Sequence, residues 1–168
     1  MLYLLDANVL IDANRDYYPI NHVVPEFWEW LIHMGESNQV KIPLDIYEEL
    51  KKGTDELQIW VKKEETKVAL LLNEEVDISV IRRVINDGYA NDLTDSEIEQ
   101  VGQDPLLIAY ALKDSNGRCL VTTEASKPKK QRANKHVPDV CDILGVSWCH
   151  TFEFIRTLGF STNWKAIK

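Results

Sequence analysis

Short apolar runs separated by stretches of helical periodicity organise this chain. The runs at residues 2–5, 40–42, 119–122 and 146–149 predict four buried strands. Helical patterns are predicted between and after them, at residues 25–35, 44–52, 55–72, 74–88, 104–112, 137–144 and 151–158. Strands that alternate with helices are typical of a parallel sheet covered on both faces. We therefore expect an α/β fold, a three-layer sandwich with a central, mostly parallel sheet of four to five strands flanked by helices.

The length and composition fit one globular domain. The chain has 168 residues, of which 45% are hydrophobic and 27% charged, so we expect a single domain over residues 1–168 with a helical region at about 55–101. No apolar stretch approaches the roughly 20 residues of a membrane span, and no basic lead precedes the first apolar run. Three cysteines without a C-x-x-C pair favour a reduced, cytoplasmic protein without membrane contact.

The charge is distributed unevenly along the chain. The net charge is −8, which argues against a general nucleic-acid coat protein. Residues 125–138 nevertheless carry five cations and no acid, which leaves −13 for the rest of the chain. These cations are candidate RNA-binding residues: Lys127, Lys129, Lys130, Arg132 and Lys135.

Four carboxylates occupy positions that a parallel sheet can bring together. Asp6 and Glu124 follow the first and third predicted strands, Glu49 lies in the helix after the second, and Asp104 opens the helix before the third. Ligands bind at the carboxyl edge of such sheets. Converging carboxylates repel one another unless a hard divalent cation lies between them, and Mg²⁺ and Mn²⁺ prefer oxygen ligands. Such a site is suited to hydrolysis at a phosphoryl group.

Each of these acids also has a purely structural interpretation. Asp6 can form a strand-end turn, and Asp104 before Pro105 is a favourable helix N-cap. Glu49 and Glu124 can be solvated surface residues, and the basic segment can be a solvated loop. The order and spacing of the four acids together, rather than any one of them, favour a functional site.

Four segments of the chain, in this order, resemble the PIN-domain family. The first has a strand followed by Asp6 and Asn8, and the second has a glutamate, Glu49, before a leucine. The third has Asp104 opening a helix with an Ile-Ala pair, and the fourth has a strand followed by Thr and an acid. The matching segments are residues 4–10, 42–50, 104–111 and 120–124.

The resemblance implies a metal-dependent ribonuclease, often the toxin of a bacterial toxin–antitoxin pair. It implies that Asp6, Glu49 and Asp104 bind Mg²⁺ or Mn²⁺ and act in catalysis, with Asn8 and Thr122 as polar supports. The fourth metal-binding position departs from the family pattern, because aspartate is common there.

In this chain the fourth position holds Glu124, whose longer side chain can still reach a metal directly or through water. Asp139 is a candidate substitute or fifth acid, and Glu48 replaces Glu49 if the helix register differs by one. An RNA substrate and a cognate antitoxin are the partners that the resemblance implies.

Aromatic residues of the first long helix bear on oligomerisation. Phe27, Trp28 and Trp30 lie within four residues, so they do not share one narrow helical stripe. We expect at least one of them to contribute to a homodimer or antitoxin surface, with two packed in the core.

Other functional classes fit less well. A haloacid-dehalogenase-type phosphatase needs an acid where Asn8 stands, and a dinucleotide-binding turn needs glycines that residues 6–11 lack. The cysteines, with His136 and His150, show no compact zinc spacing. The main alternative is a PIN-like module that binds RNA or protein without cleaving it.

Overall fold

The computed structural model describes residues 1–20 and 24–166 and contains a five-stranded parallel sheet. The order across the sheet is β3-β2-β1-β4-β5, and each neighbouring pair is parallel. The strands are β1 (Leu2–Leu5), β2 (Val40–Pro43), β3 (Leu71–Leu72), β4 (Arg118–Thr122) and β5 (Ser147–His150). The central position of β1 places the residue that follows it between the ends of β2 and β4.

Helices flank the sheet in a three-layer α/β arrangement, so the predicted fold class is confirmed. The α-helices are α1 (Ala7–Asp12), α2 (Pro25–Glu36), α3 (Leu44–Leu50), α4 (Glu56–Val61), α5 (Glu64–Leu70), α6 (Ile78–Arg83), α7 (Asp95–Val101), α8 (Asp104–Leu112), α9 (Val137–Leu144) and α10 (Thr151–Thr157). Helices α1 and α6 continue as short π-helices, Ala13–Tyr17 and Val84–Tyr89. Within residues 1–20 and 24–166, no helix is long and apolar enough to cross a membrane.

The pairing of the central strands explains why the first apolar run forms a strand and where Asp6, the residue after it, lies. Leu4 and Leu5 of β1 lie opposite Leu120 and Val121 of β4, and all four side chains are fully buried. Strands of a parallel sheet covered by helices are buried on both faces, which requires such continuous apolar runs. This register brings the residues immediately after Leu5 and Val121 to the same edge of the sheet.

The helical middle of the chain differs from its prediction. The continuous helix predicted over residues 55–72 is wrong: α4 and α5 are separate, and Leu71 and Leu72 form strand β3. Leu71 pairs with Ile42 of β2, and this tertiary pairing ends the helix. The helix predicted over residues 74–88 begins only at Ile78. The segment at 55–101 therefore supplies an edge strand of the sheet as well as helices.

The three aromatic residues near the start of α2 are all buried, which corrects the expectation that at least one forms a surface. Phe27, Trp28 and Trp30 are each at most 3% exposed. Phe27 stacks on Tyr18 with ring centroids 4.4 Å apart, while the Trp28 ring lies 4.8 Å from that of Trp60. Elements on more than one side of α2 therefore cover these rings, and the homodimer stays a prediction without support from them.

Candidate functional site

Asp6 is fixed at the carboxyl edge of the sheet between β1 and β4. Its backbone amide donates to the carbonyl of Val121 at 3.1 Å, which extends the strand pairing by one residue. The Thr122 hydroxyl donates to the Asp6 carboxylate at 3.2 Å, and Asp6 is only 7% exposed. Thr122 thus supports Asp6, in the role that the resemblance implies for it.

A cavity of about 300 Å³ opens beside Asp6. Its walls come from the start of α1, from α3, and from the connection between α7 and α8. Its polar lining consists of Asp6, Asn8, Glu49, Gln100, Gln103 and Asp104, and no lysine or arginine among the described residues lines it. Three of the four predicted acids therefore share one cavity.

Burial and mutual repulsion perturb the two aspartates of this cavity. Burial, together with the smaller effects of the negative charges of Asp6, Glu124 and Glu49, raises the pKa of Asp104 to about 7. Burial also raises the pKa of Asp6 to about 6, although the Thr122 hydroxyl acts in the opposite direction. The four carboxylates therefore form one electrostatic group, which we call the acid cluster.

Glu124 belongs to the acid cluster through its charge but lies outside the cavity lining. One of its carboxylate oxygens accepts a hydrogen bond from the backbone amide of Val137, the first residue of α9, at 2.8 Å. The Glu124 amide donates to the Thr122 hydroxyl at 3.2 Å. Glu124 therefore links α9 to the polar support of Asp6, and one of its oxygens is already engaged.

Asp139 is held by the loop that follows Glu124. Its carboxylate accepts hydrogen bonds from the Ser126 hydroxyl at 2.6 Å and from the Lys127 amide at 2.9 Å. Burial raises its pKa, but these hydrogen bonds outweigh that effect and keep the pKa below the ordinary value. These contacts favour a role in anchoring the loop, whereas the prediction of Asp139 as a metal ligand has no geometric support.

The two adjacent glutamates of α3 have different surroundings. Both residues are exposed, but Glu48 is ion-paired with Lys51 at 2.9 Å, whereas Glu49 lines the cavity. These positions favour Glu49, and not Glu48, as the second acid of the site.

Arg132, predicted to bind RNA, is engaged within the protein. Its guanidinium donates to the carboxylates of Glu97 and Asp92, each at 2.7 Å. Its φ of 54° places the backbone in the left-handed region. Next to it, Gln100 donates to the side chain of Asn134 at 3.0 Å. These contacts fix the basic loop to helix α7, whose last turn lines the cavity.

The other cations of the loop divide into one anchored and three exposed residues. The Lys135 ammonium donates to the carbonyls of Gly88 and Tyr89 at 2.7 and 3.0 Å. Lys127, Lys129 and Lys130 are exposed, and no salt bridge of theirs is found in the described residues. These three lysines, which we call the loop lysines, are the cations best placed to contact a ligand.

A larger cavity, of about 530 Å³, lies elsewhere and is lined by Trp28, Trp60 and Trp164. One of its carboxylates, Glu29, is paired with Lys165 at 2.6 Å. Its lining mixes acidic and basic side chains, among them Glu65 paired with Lys63 at 3.9 Å, so we place the candidate site at the smaller cavity.

The comparisons with known proteins assign a family. A family model described as "Domain of unknown function (DUF4411)" matches residues 3–162. The chain belongs to this family. No curated protein and no solved structure matches the chain significantly. The DUF4411 match covers all four acids but links them neither to the PIN-domain family nor to a reaction, so their function has to be argued from geometry.

Sequence reasoning missed part of the cavity wall in this DUF4411 chain. Gln100 and Gln103 line the cavity together with Gly102, whose φ of 53° turns the chain between α7 and α8. A glycine two residues before the predicted helix start at Asp104 is a turn signal that the sequence contains. It indicates a turn, but not that the turn faces Asp6.

Proposed function

We propose that this chain is a Mg²⁺- or Mn²⁺-dependent endoribonuclease that hydrolyses phosphodiester bonds of RNA. The observation that carries the proposal is the acid cluster, in which the buried Asp6 and the partly buried Asp104 are electrostatically coupled to Glu49 and Glu124. Within residues 1–20 and 24–166, no basic side chain lines the cavity to offset these charges. Perturbed carboxylates in a cavity are typical of functional sites.

The chemistry of the donors fits a hard divalent cation. Carboxylate and amide oxygens line the cavity, and a cation between them would remove the repulsion that raises the pKa values of Asp6 and Asp104. In the described part of the chain, no three His, Cys, Asp or Glu side chains lie close enough together to form a metal-binding group. Mg²⁺ keeps several waters and needs only one or two direct carboxylate ligands, so a looser group still suits it.

The residues of the site have separate roles in the proposed hydrolysis. Asp6, Glu49 and Asp104 would hold the cation, with Glu124 beside them. When bound, such a cation lowers the pKa of water and stabilises charge on a phosphoryl oxygen. The pKa of Asp104 is about 7 without metal, and a cation beside it would lower that pKa and keep the carboxylate ionised as a ligand at neutral pH.

The PIN-domain resemblance supports the same proposal from the sequence. It implies a three-layer α/β fold with acids at the strand ends, and this chain has such a fold. The role of a toxin, an antitoxin partner and a cytoplasmic location depend on that resemblance and on composition alone.

The proposal predicts metal-dependent cleavage of single-stranded RNA by the purified protein. We expect a labelled oligonucleotide to be cut in the presence of Mn²⁺ or Mg²⁺ and to remain intact in EDTA. Calorimetric titration with Mn²⁺, in the absence of RNA, gives a second readout and should show binding. Cleavage that persists in EDTA, or the absence of both cleavage and Mn²⁺ binding, would contradict the proposal.

A non-catalytic RNA-binding module is the second candidate function. It is favoured by the finding that no three potential ligands converge in residues 1–20 and 24–166. The same experiments separate the two functions, because a binding module retains the oligonucleotide but leaves it uncut under every metal condition.

The loop lysines are predicted to set RNA affinity under either function. Changing Lys129 and Lys130 to alanine should weaken binding of single-stranded RNA and reduce the slope of log affinity against log salt by about 1.4, because two phosphate contacts are lost. Fluorescence anisotropy at several salt concentrations measures both quantities. The exposed pair Lys62 and Lys63, changed to alanine, is the matched control and should leave the slope unchanged. An equal effect of the two double variants would reject a specific role for the loop.

A further inference from the structure

Three aromatic side chains form a partly exposed cluster near the carboxyl edge of the sheet, and we infer that this cluster is a stacking site for a base of single-stranded RNA. We call Tyr17, His150 and Phe152 the aromatic platform. The Phe152 ring lies 5.2 Å from the Tyr17 ring, edge to face, and 5.8 Å from the His150 ring, nearly parallel to it. The choice of RNA as ligand rests on the proposed function.

The position of the platform relates it to the acid cluster. His150 ends β5 and lies opposite Thr122 of β4, whose hydroxyl donates to Asp6. Adjacent strands of a sheet are about 4.8 Å apart, so the end of β5 lies roughly 10 Å from the end of β1. Phe152 follows His150 by two residues, in the first turn of α10. A nucleic-acid strand crossing this edge can therefore meet both groups.

The exposure of the platform is unusual for aromatic residues of this fold. Tyr17 is 46% exposed and Phe152 is 40% exposed, whereas Phe154, two residues further along α10, is fully buried. Exposed aromatic residues that are grouped together are typical of binding surfaces rather than of a folded core. The platform therefore has surface available for a ligand.

The acids next to the platform, Asp12, Asp16 and Glu153, outnumber the cations Arg15 and Arg156, which leaves a net charge of −1 there. Arg15 pairs with both aspartates, at 2.8 and 2.7 Å. The platform is therefore expected to bind a base by stacking, without phosphate contacts of its own.

The chemistry of the three rings favours a nucleobase. Bases of single-stranded RNA stack on tyrosine, phenylalanine and histidine, and stacking tolerates any base because every base has a flat π face. The platform is therefore expected to add affinity for unpaired RNA without selecting a sequence. A protein partner, including a second copy of this chain, is the competing occupant that the test must separate.

Binding of a single-stranded RNA and of an abasic strand of equal length, both in EDTA, tests the inference. The two strands carry the same phosphates, and only the first has bases to stack. We expect Tyr17→Ala and Phe152→Ala each to weaken binding of the base-bearing strand about 10-fold and to leave binding of the abasic strand unchanged. Phe152→Trp should retain wild-type affinity. Ile143→Ala removes another exposed apolar side chain, 51% exposed on α9, and should change neither affinity.

The outcomes distinguish this inference from the proposed function. Equal losses for both strands, or no loss for either, would overturn the stacking site. RNA binding that is unchanged in Phe152→Ala while light scattering shows loss of a dimer would assign the platform to a protein contact instead. A base-selective loss supports the platform even if the protein never cleaves RNA with Mn²⁺, because binding is measured without metal.

Discussion

Replacing Asp104 by asparagine is expected to lower metal-dependent RNA cleavage by about 1000-fold. The amide keeps the shape of the side chain but removes a negative charge from the acid cluster and an anionic ligand of the proposed cation. Initial rates at saturating RNA and Mn²⁺ measure the loss. Asp6→Asn should have a comparable effect, because Asp6 lines the same cavity and is more deeply buried than Asp104.

The adjacent glutamates of α3 provide a matched control for this prediction. Glu49→Gln alters a residue that lines the cavity and should reduce both Mn²⁺ affinity and cleavage. Glu48→Gln makes the same chemical change one position earlier, at a side chain paired with Lys51, and should leave both unchanged. Full cleavage by Asp104→Asn would refute its catalytic assignment, and equal losses in the two glutamine variants would reject Glu49 as the specific second acid.

The sequence could predict the parts of the site that local patterns determine. The apolar run before Asp6 identified a buried strand with a carboxylate at its end, because a covered parallel strand must be apolar on both faces. Asp104 before Pro105 marked a helix start. The structure brings these two acids together through strand pairing and helix packing that neither segment specifies by itself.

Other features depended on contacts between distant segments and could not be predicted. Leu71 and Leu72 have the apolar character of the helix before them, and only pairing with Ile42 and Pro43 makes them a strand. Likewise, composition identifies Arg132 as one more cation of a basic loop. Its carboxylate partners lie 35 and 40 residues earlier in the chain, so its engagement is visible only in the fold.

The metal-free protein is expected to lose stability as the pH rises from about 4 to 7. Asp104 has a folded-state pKa of about 7 against an ordinary value of 3.8, so between these values the folded protein binds more protons than the unfolded chain. The free energy of unfolding therefore falls through this range, and the destabilisation is complete above pH 7. Asp6, with a pKa of about 6, contributes in the same direction. Burying charged carboxylates without a cation is the physical cause.

Asp104→Asn should remove much of this penalty, so the variant that loses activity should gain stability. In EDTA at pH 8 we expect its free energy of unfolding to exceed that of the wild type by roughly 1–3 kcal/mol, and at pH 4 the difference should nearly vanish. Urea titrations of both proteins at the two pH values measure this. Glu74 and Asp139 have lowered pKa values, so their contributions to the free energy of unfolding have the opposite pH dependence. These contributions are the same in the variant and the wild type and cancel in the difference between them.

Adding Mn²⁺ distinguishes repulsion within the acid cluster from a general effect of the substitution on stability. At pH 8, a cation held by the acid cluster should stabilise the wild type more than Asp104→Asn, because it binds only the folded state and the variant has lost a ligand. Equal stabilisation of both proteins would place Mn²⁺ elsewhere on the molecule. If the variant is no more stable than the wild type at pH 8 in EDTA, the ionised carboxylate of Asp104 does not destabilise the folded protein. The acid cluster would then lack the uncompensated charge that is the basis for proposing a bound cation.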